Sequence, residues 1–99
     1  VEGRANVAGS LGSSSDYFLA YHPGTDAVVK SMSIETPFTL NEAQNILELN
    51  VDLTTFFTGT NGTNVIDFTT EAQTHSATAA ELVTADKVMT NLAASLKVK

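Results

Sequence analysis

The sequence predicts a mainly β fold, an antiparallel β-sandwich-like domain or half of one, with a single C-terminal α-helix. Three observations predict it. Within the segment 45–53, residues 47–53 alternate strictly, with Leu47, Leu49, Val51 and Leu53 between Glu48, Asn50 and Asp52. Such alternation marks a strand with one buried and one wet face. Asp16–His22 is short and aromatic, and runs into Pro23-Gly24-Thr25-Asp26, a strong turn signal. From Ala79 onward the period changes to that of a helix, with Ala79, Leu82, Ala85 or Asp86, Met89, Leu92 or Ala93 and Leu96 on one stripe.

Taken in order, Val1–Asn6 reads as the end of a strand and the Gly- and Ser-rich Val7–Ser15 as a loop. On the strand 16–22, Tyr17, Leu19 and Tyr21 share one face, and Phe18, Ala20 and His22 the other. Ala27–Glu35 reads as a second strand with Val28, Met32 and Ile34 on a common face, broken or edged by Pro37. Asn41–Gln44 is a polar turn. The alternating strand 45–53 follows, its Leu47, Leu49, Val51 and Leu53 face expected to be buried. Thr54–Thr58 carries adjacent Phe56 and Phe57, which cannot share a strand face. A short helical turn ending at Gly59 would bring both inward. Thr60–Asn64 is a loop and Val65–Phe68 a brief extended segment. Thr78-x-x-Glu81 has the form of a capping box, so the last helix spans about residues 78–95. Val98 then opens a final strand. The 99 residues hold no internal repeat and one domain at most.

Composition excludes several functions. Eleven acidic and five basic residues leave a net charge of -6, and no Lys or Arg occurs between Ser31 and Asp86. Nucleic acid binding needs a basic stripe, so nucleic acid is not an expected partner. With no cysteine there is no disulfide, thiolate metal site or Cys nucleophile. No apolar run approaches the roughly 18 residues of a membrane-spanning segment. Ser and Thr supply 22 residues, a hydroxyl-rich, Lys-poor balance that favours an exported protein. The chain shows no signal-peptide pattern, and its opening at Val1 reads as a processed product or a piece of a longer protein.

His22 and His75 are the metal-ligand candidates. A neutral imidazole suits copper or zinc. His22 sits at a strand end beside the Pro-Gly turn, where bonding the turn backbone is the ordinary role. His75 precedes the helix and could orient that terminus, or join a site with Asp67 or Glu71. Met32 and Met89 offer thioethers, but both lie on apolar stripes and read as core filler. Glu48 and Asp52 share the wet face of one strand, where solvation is the ordinary state. The chain lacks an EF-hand loop, a Gly-x-Ser-x-Gly elbow and a phosphate loop, so it reads as non-catalytic. Asn61-Gly62-Thr63 has the form of a glycosylation sequon.

Several segments together resemble a known family. Leu49-Asn-Val-Asp-Leu-Thr-Thr-Phe-Phe-Thr-Gly59, Val65-Ile-Asp-Phe68, His75 and an Ala-rich helix carrying Asn91 before Val98 are similar to the C-terminal part of MbnP-like copper-binding proteins. Val1-Glu-Gly-Arg4 and Tyr17-Phe-Leu-Ala-Tyr-His-Pro-Gly24 are similar to that family's post-strand segment and its aromatic-x-x-His-x-Gly element. The resemblance implies an exported bacterial β-module, periplasmic, on the outer-membrane surface or secreted, and often a lipoprotein. It implies copper held by His ligands with an oxidised tryptophan. Only His22 falls on a matching ligand motif, and this chain has no Trp. The chain would then be the second half of the fold. Its partner would be the N-terminal half of the same domain, or a second copy in a homo-oligomer. A structural or adhesive surface module without a metal site is the alternative.

Overall fold

The helix signals at the end of the chain are the strongest in the sequence, and the fold is built around the helix they specify. In the computed structural model, which describes residues 1–6, 16–35, 37, 39 and 45–99, that helix spans Ala79–Ser95. Thr78 caps it and Glu81 closes the reciprocal capping box, as the sequence predicts.

Five short strands and a second helix surround it. In chain order these are β1 (Glu2–Asn6), β2 (Asp16–Tyr21), β3 (Leu49–Val51), α1 (Leu53–Thr58), β4 (Gln73–Thr74), α2 (Ala79–Ser95) and β5 (Leu96–Val98). They form two sheets, β1-β2-β4 and β3-β5. β1 and β2 run antiparallel with Glu2 opposite Ala20 and Arg4 opposite Phe18. β2 and β4 run parallel, with Tyr21 opposite Thr74. β3 and β5 run antiparallel, with Leu49 opposite Val98 and Val51 opposite Leu96.

The mainly β, sandwich-like expectation is therefore wrong. The two α-helices hold 6 and 17 residues, while no strand exceeds 6. The fold is a mixed one, with two small sheets and two helices. Among the described residues the core face of β2 is not covered by a facing sheet. Helices α1 and α2 cover the inner face of β2 instead. Leu19 and Tyr21 of that face join Phe56 of α1, Ile66 and Val88 of α2 in the core. Tyr17, Phe57, Phe68, Ala72 and Leu92 pack around them, with Phe57 edge-on to both Phe56 and Phe68.

Two expected strands fail for local reasons. In place of the strand Ala27–Glu35 there is a 3₁₀ turn at Asp26–Val28, after which the segment has no ladder partner among the described residues; only Val28 is buried. The alternating segment 45–53 is a strand only at Leu49–Val51. Asp52 ends it, because its carboxylate accepts the Thr54 and Thr55 amides at 3.0 and 3.2 Å and starts α1. Leu53 thus belongs to the helix. Leu47, Leu49, Val51 and Leu53 are 45–64% exposed, since β5 is the only ladder partner of β3 among the described residues. The loop Val7–Ser15 and the turn Asn41–Gln44 lie outside the described residues.

The deepest face of α2 is also rotated from the predicted stripe. It consists of Thr84, Ala85, Val88, Asn91 and Ser95. Asn91 is 1% exposed, and its amide donates to Phe56 O at 3.0 Å and Asn64 O at 2.8 Å. These bonds clamp the end of α1 and the following loop onto α2. Gly59 makes the approach feasible. Its φ is 67°, and a Cβ there would lie 2.8 Å from Asn64 N and 3.0 Å from Asn91 Oδ1.

Asn91→Ala removes the donor from two carbonyls, the Phe56 one buried, and should cost about 2–4 kcal/mol. Leu49→Ala, at a half-exposed position, should cost less than about 1 kcal/mol. Denaturant melts of the two variants check this order; a larger loss from Leu49→Ala would show that the β3 face is covered in solution.

Candidate functional site

Parallel pairing of β2 with β4 creates the one place where the two histidines meet. His22 follows Tyr21, and His75 follows Thr74, its ladder partner. The His22 amide donates to Thr74 O at 2.9 Å, carrying the pairing one step past the strand ends. The two imidazole rings stack at a centroid distance of 5.3 Å, with planes 14° apart. Alternation along β2 sends Leu19 and Tyr21 to the core. Phe18 and His22 take the opposite face, where both are exposed while Ala20 between them is buried.

Glu2 joins the pair from β1. It stands opposite Ala20, on the same face, and its Oε1 lies 3.0 Å from His22 Nε2. Both side chains are about half exposed to solvent. The sequence offers no local signal for this contact, which arises from the β1–β2 register.

His75 is fixed through its backbone. Its amide donates to Glu81 Oε1 at 3.3 Å. Glu81 Oε2 accepts the amides of Ala77 and Thr78 and the Thr78 hydroxyl, at 2.9 to 3.2 Å. Behind them the buried Thr74 hydroxyl donates to Glu81 O at 2.8 Å and accepts the Ser76 amide at 3.3 Å. Ser76 sits at φ 58° and turns the chain from β4 into α2. The hydrogen bonds from Thr78 and from the His75 amide hold the Glu81 carboxyl below its usual range. Glu81 thus anchors the His75 turn as well as the helix.

The other acidic candidates are engaged elsewhere. Asp67 accepts the Thr69 amide and hydroxyl at 2.9 and 2.6 Å, which holds its carboxyl low. Glu71 accepts the Asp67 amide and both oxygens meet Lys87 Nζ, at 2.5 and 2.7 Å. Lys87 also donates to Val65 O at 3.0 Å. Neither Asp67 nor Glu71 joins His75 in a site. Above this knot Tyr21 is buried; burial, with the Glu71 charge, pushes its hydroxyl up to about 12, so it stays protonated. Asp52 caps α1, and the backbone and hydroxyl of Thr55 hold it low. Glu48 pairs with Lys99 across the β3–β5 ribbon.

Met32 and Met89 are not core filler. They line an open groove with Lys30, Leu92, Ala93 and Leu96, and Met32 is exposed. Lys30 is held there by Asp86.

Chemically, the His22–His75 pair presents two imidazoles on an open sheet face. Among the described residues no group of three or more His, Cys, Asp and Glu side chains could hold a metal ion. A closed structural site takes four ligands. Stacked rings direct their in-plane lone pairs along nearly parallel planes and not at one point, so the pair as it stands offers an ion one imidazole nitrogen and not a two-nitrogen clamp. Among the described residues no helix is long and apolar enough to cross a membrane. No family model, curated protein or solved structure matches the chain.

The depressed Asp52, Asp67 and Glu81 carboxyls set the acid response. Each is more acidic folded than unfolded, so its stabilising contribution is present above the unfolded value and lost as pH falls through the folded one. The melting temperature should therefore fall progressively below about pH 5. Glu81→Gln should flatten that fall while lowering stability at neutral pH. A pH series of thermal melts tests this, and an unchanged acid limb in Glu81→Gln would remove Glu81 from the account.

Proposed function

We propose that this chain is a non-catalytic module of an exported, MbnP-like bacterial protein that holds copper through His22, with His75 beside it. The exposed His22 imidazole at the end of β2, with the His75 ring beside it, carries the reading. Imidazole nitrogen is a good copper donor. His22 is also the residue on the resembling ligand motif, and His75 falls within the resembling C-terminal part. Copper, when bound, supplies a redox-capable cation; the chain supplies the His22 imidazole at the end of β2, with His75 beside it on the Glu81-anchored turn.

The remaining ligands come, in this reading, from the N-terminal half of the same domain, laid over the open face. Exposed Phe18 on that face supports a covering layer. A second copy of the chain is the competing cover. The setting is periplasmic, outer-membrane surface or secreted.

The ion pair between Glu2 and His22 favours a second reading, a structural or adhesive module in which the histidine serves only to join β1 to β2. Competition of Cu(I) against a chelator separates the two. Weak binding is expected, reduced by His22→Ala and by His75→Ala alike, because the structure brings both rings together. Full binding in both variants would place copper elsewhere, and none in the unaltered chain would favour the structural module. Sedimentation of the chain at micromolar concentration tests the cover. A cooperatively melting monomer that does not bind the dye ANS would remove the need for one.

A further inference from the structure

The β3–β5 ribbon has two strands, and β3 has no ladder partner on its other edge among the described residues. The ladder fixes which backbone groups stand on that edge. Lys99 N donates to Glu48 O at 3.1 Å, and Asp52 N to Ser95 O at 2.9 Å. Glu48 and Asp52 therefore turn their main chains toward β5, and so does Asn50 between them, opposite Lys97. Leu49 and Val51 turn theirs the other way, and Leu47 continues the alternation. None of the devices that guard an edge is present: Leu49–Val51 contains no Lys, Pro or other charge. The side chains of Leu47, Leu49 and Val51 are 45–53% exposed. We propose that this edge pairs with itself, a second copy of the chain adding antiparallel, β3 to β3, with Leu49 on the two-fold axis. The product is one four-stranded sheet in the order β5-β3-β3-β5. It lies away from His22 and stands apart from the copper reading.

Charge selects both the occupant and the register. Bonds can be exchanged only between residues whose main chains face the edge, and a one-residue slip would set apolar side chains against polar ones. That leaves axes at Glu48, Leu49 or Asn50. An axis at Glu48 places that carboxylate against its own copy. An axis at Asn50 places Glu48 opposite Asp52 of the partner subunit. Like charges directly opposite are destabilising. With the axis at Leu49, Glu48 stands opposite Asn50 of the partner subunit. Glu48 already holds Lys99 on its other side at 2.9 Å, and Asn50 has Lys97 across from it. Each row across the polar face then carries one carboxylate between a cation and an amide. On the apolar face Leu49 meets Leu49 of the partner subunit, flanked by Val98 on each side, and Val51 meets Leu47 of the partner subunit. The two-fold axis is perpendicular to the sheet, so both apolar faces fall on the same side. A two-stranded ribbon is marginal by itself, and four strands are not.

Sedimentation of the full 99-residue chain from micromolar to millimolar concentration tests the seam. A seam this short makes a weak dimer, so the chain should pass from monomer toward dimer across that range and stop there. Leu49→Lys places two like charges on the axis and should abolish the change, and Leu49→Glu should do the same. Mixed one to one, the two variants should dimerise again, because this register sets position 49 opposite itself. Val83→Lys, at a more exposed apolar position on α2, should dimerise as the unaltered chain does. Thermal melts at micromolar concentration check that each variant folds. Should Leu49→Lys melt early, the backbone amide resonances of the unaltered chain decide: those of Leu49 and Val51 should move more with concentration than that of Asn50. A chain that stays monomeric at millimolar concentration would overturn the proposal and leave the edge to a different strand. A dimer untouched by Leu49→Lys would overturn it by placing the interface elsewhere. Failure of the mixed variants to dimerise would overturn the Leu49 register, and growth beyond a dimer would overturn the closed two-fold pairing.

Discussion

The buried amide of Asn91 is the constraint on which the rest of this fold depends. Its two donated bonds reach carbonyls on either side of Gly59, at Phe56 and Asn64. They fix how α1 lies against α2. The strands follow from that, because β3 enters α1 through Asp52 alone and α2 leaves directly into β5. Bringing the helices together therefore brings β3 beside β5, and Asp52 N donates to Ser95 O at 2.9 Å at the junction. Asn91 Oδ1 has no partner among the described residues, so the site accepts one unmet acceptor to satisfy two main-chain carbonyls. A leucine there would fill space and leave both carbonyls dry.

The same helix positions the histidines. Thr74, fully buried, ties β4 to the first turn of α2 through Glu81 O. β4 in turn pairs with β2, whose inner residues Leu19 and Tyr21 are core. His22 and His75 each stand one residue beyond a strand end fixed in this way. They are exposed, yet the backbone beneath them is held by the most buried part of the molecule. Such an arrangement suits a binding site, in which ligands are presented to solvent from a rigid support.

How much of this the sequence disclosed depends on whether the signal was local. The capping box of Thr78 and Glu81, the helix to Ser95 and the helical turn ending at Gly59 are governed by neighbours three or four residues away, and all were legible. So were β1, β2 and β5. The parallel pairing of β2 with β4 joins residues more than fifty positions apart, and a two-residue strand leaves no pattern to read. The alternation of 45–53 misled for a physical reason. Period-two patterning shows that a strand could bury one face, and is silent on whether anything covers it. Asp52, read as a wet-face residue, in fact stops the strand by capping. On α2 the apolar stripe through Met89 pointed one position away from the deepest face, where small polar Thr84 and Ser95 allow close approach and Asn91 bonds the backbone. Hydrophobic periodicity cannot find a face that is buried because it is polar and satisfied.

The candidate site was half legible. His22 and His75 stood out as residue types, but their meeting and the part of Glu2 are products of register. That difference bears on what the site can do. Four ligands close around an ion and retain it, whereas an open set leaves positions for exchange. Two imidazoles on a half-exposed sheet face, one paired with Glu2 and the other on the Glu81-anchored turn, are placed by the fold itself. The ordering cost of assembling them is met during folding, so little of the binding energy is diverted to rearranging the chain.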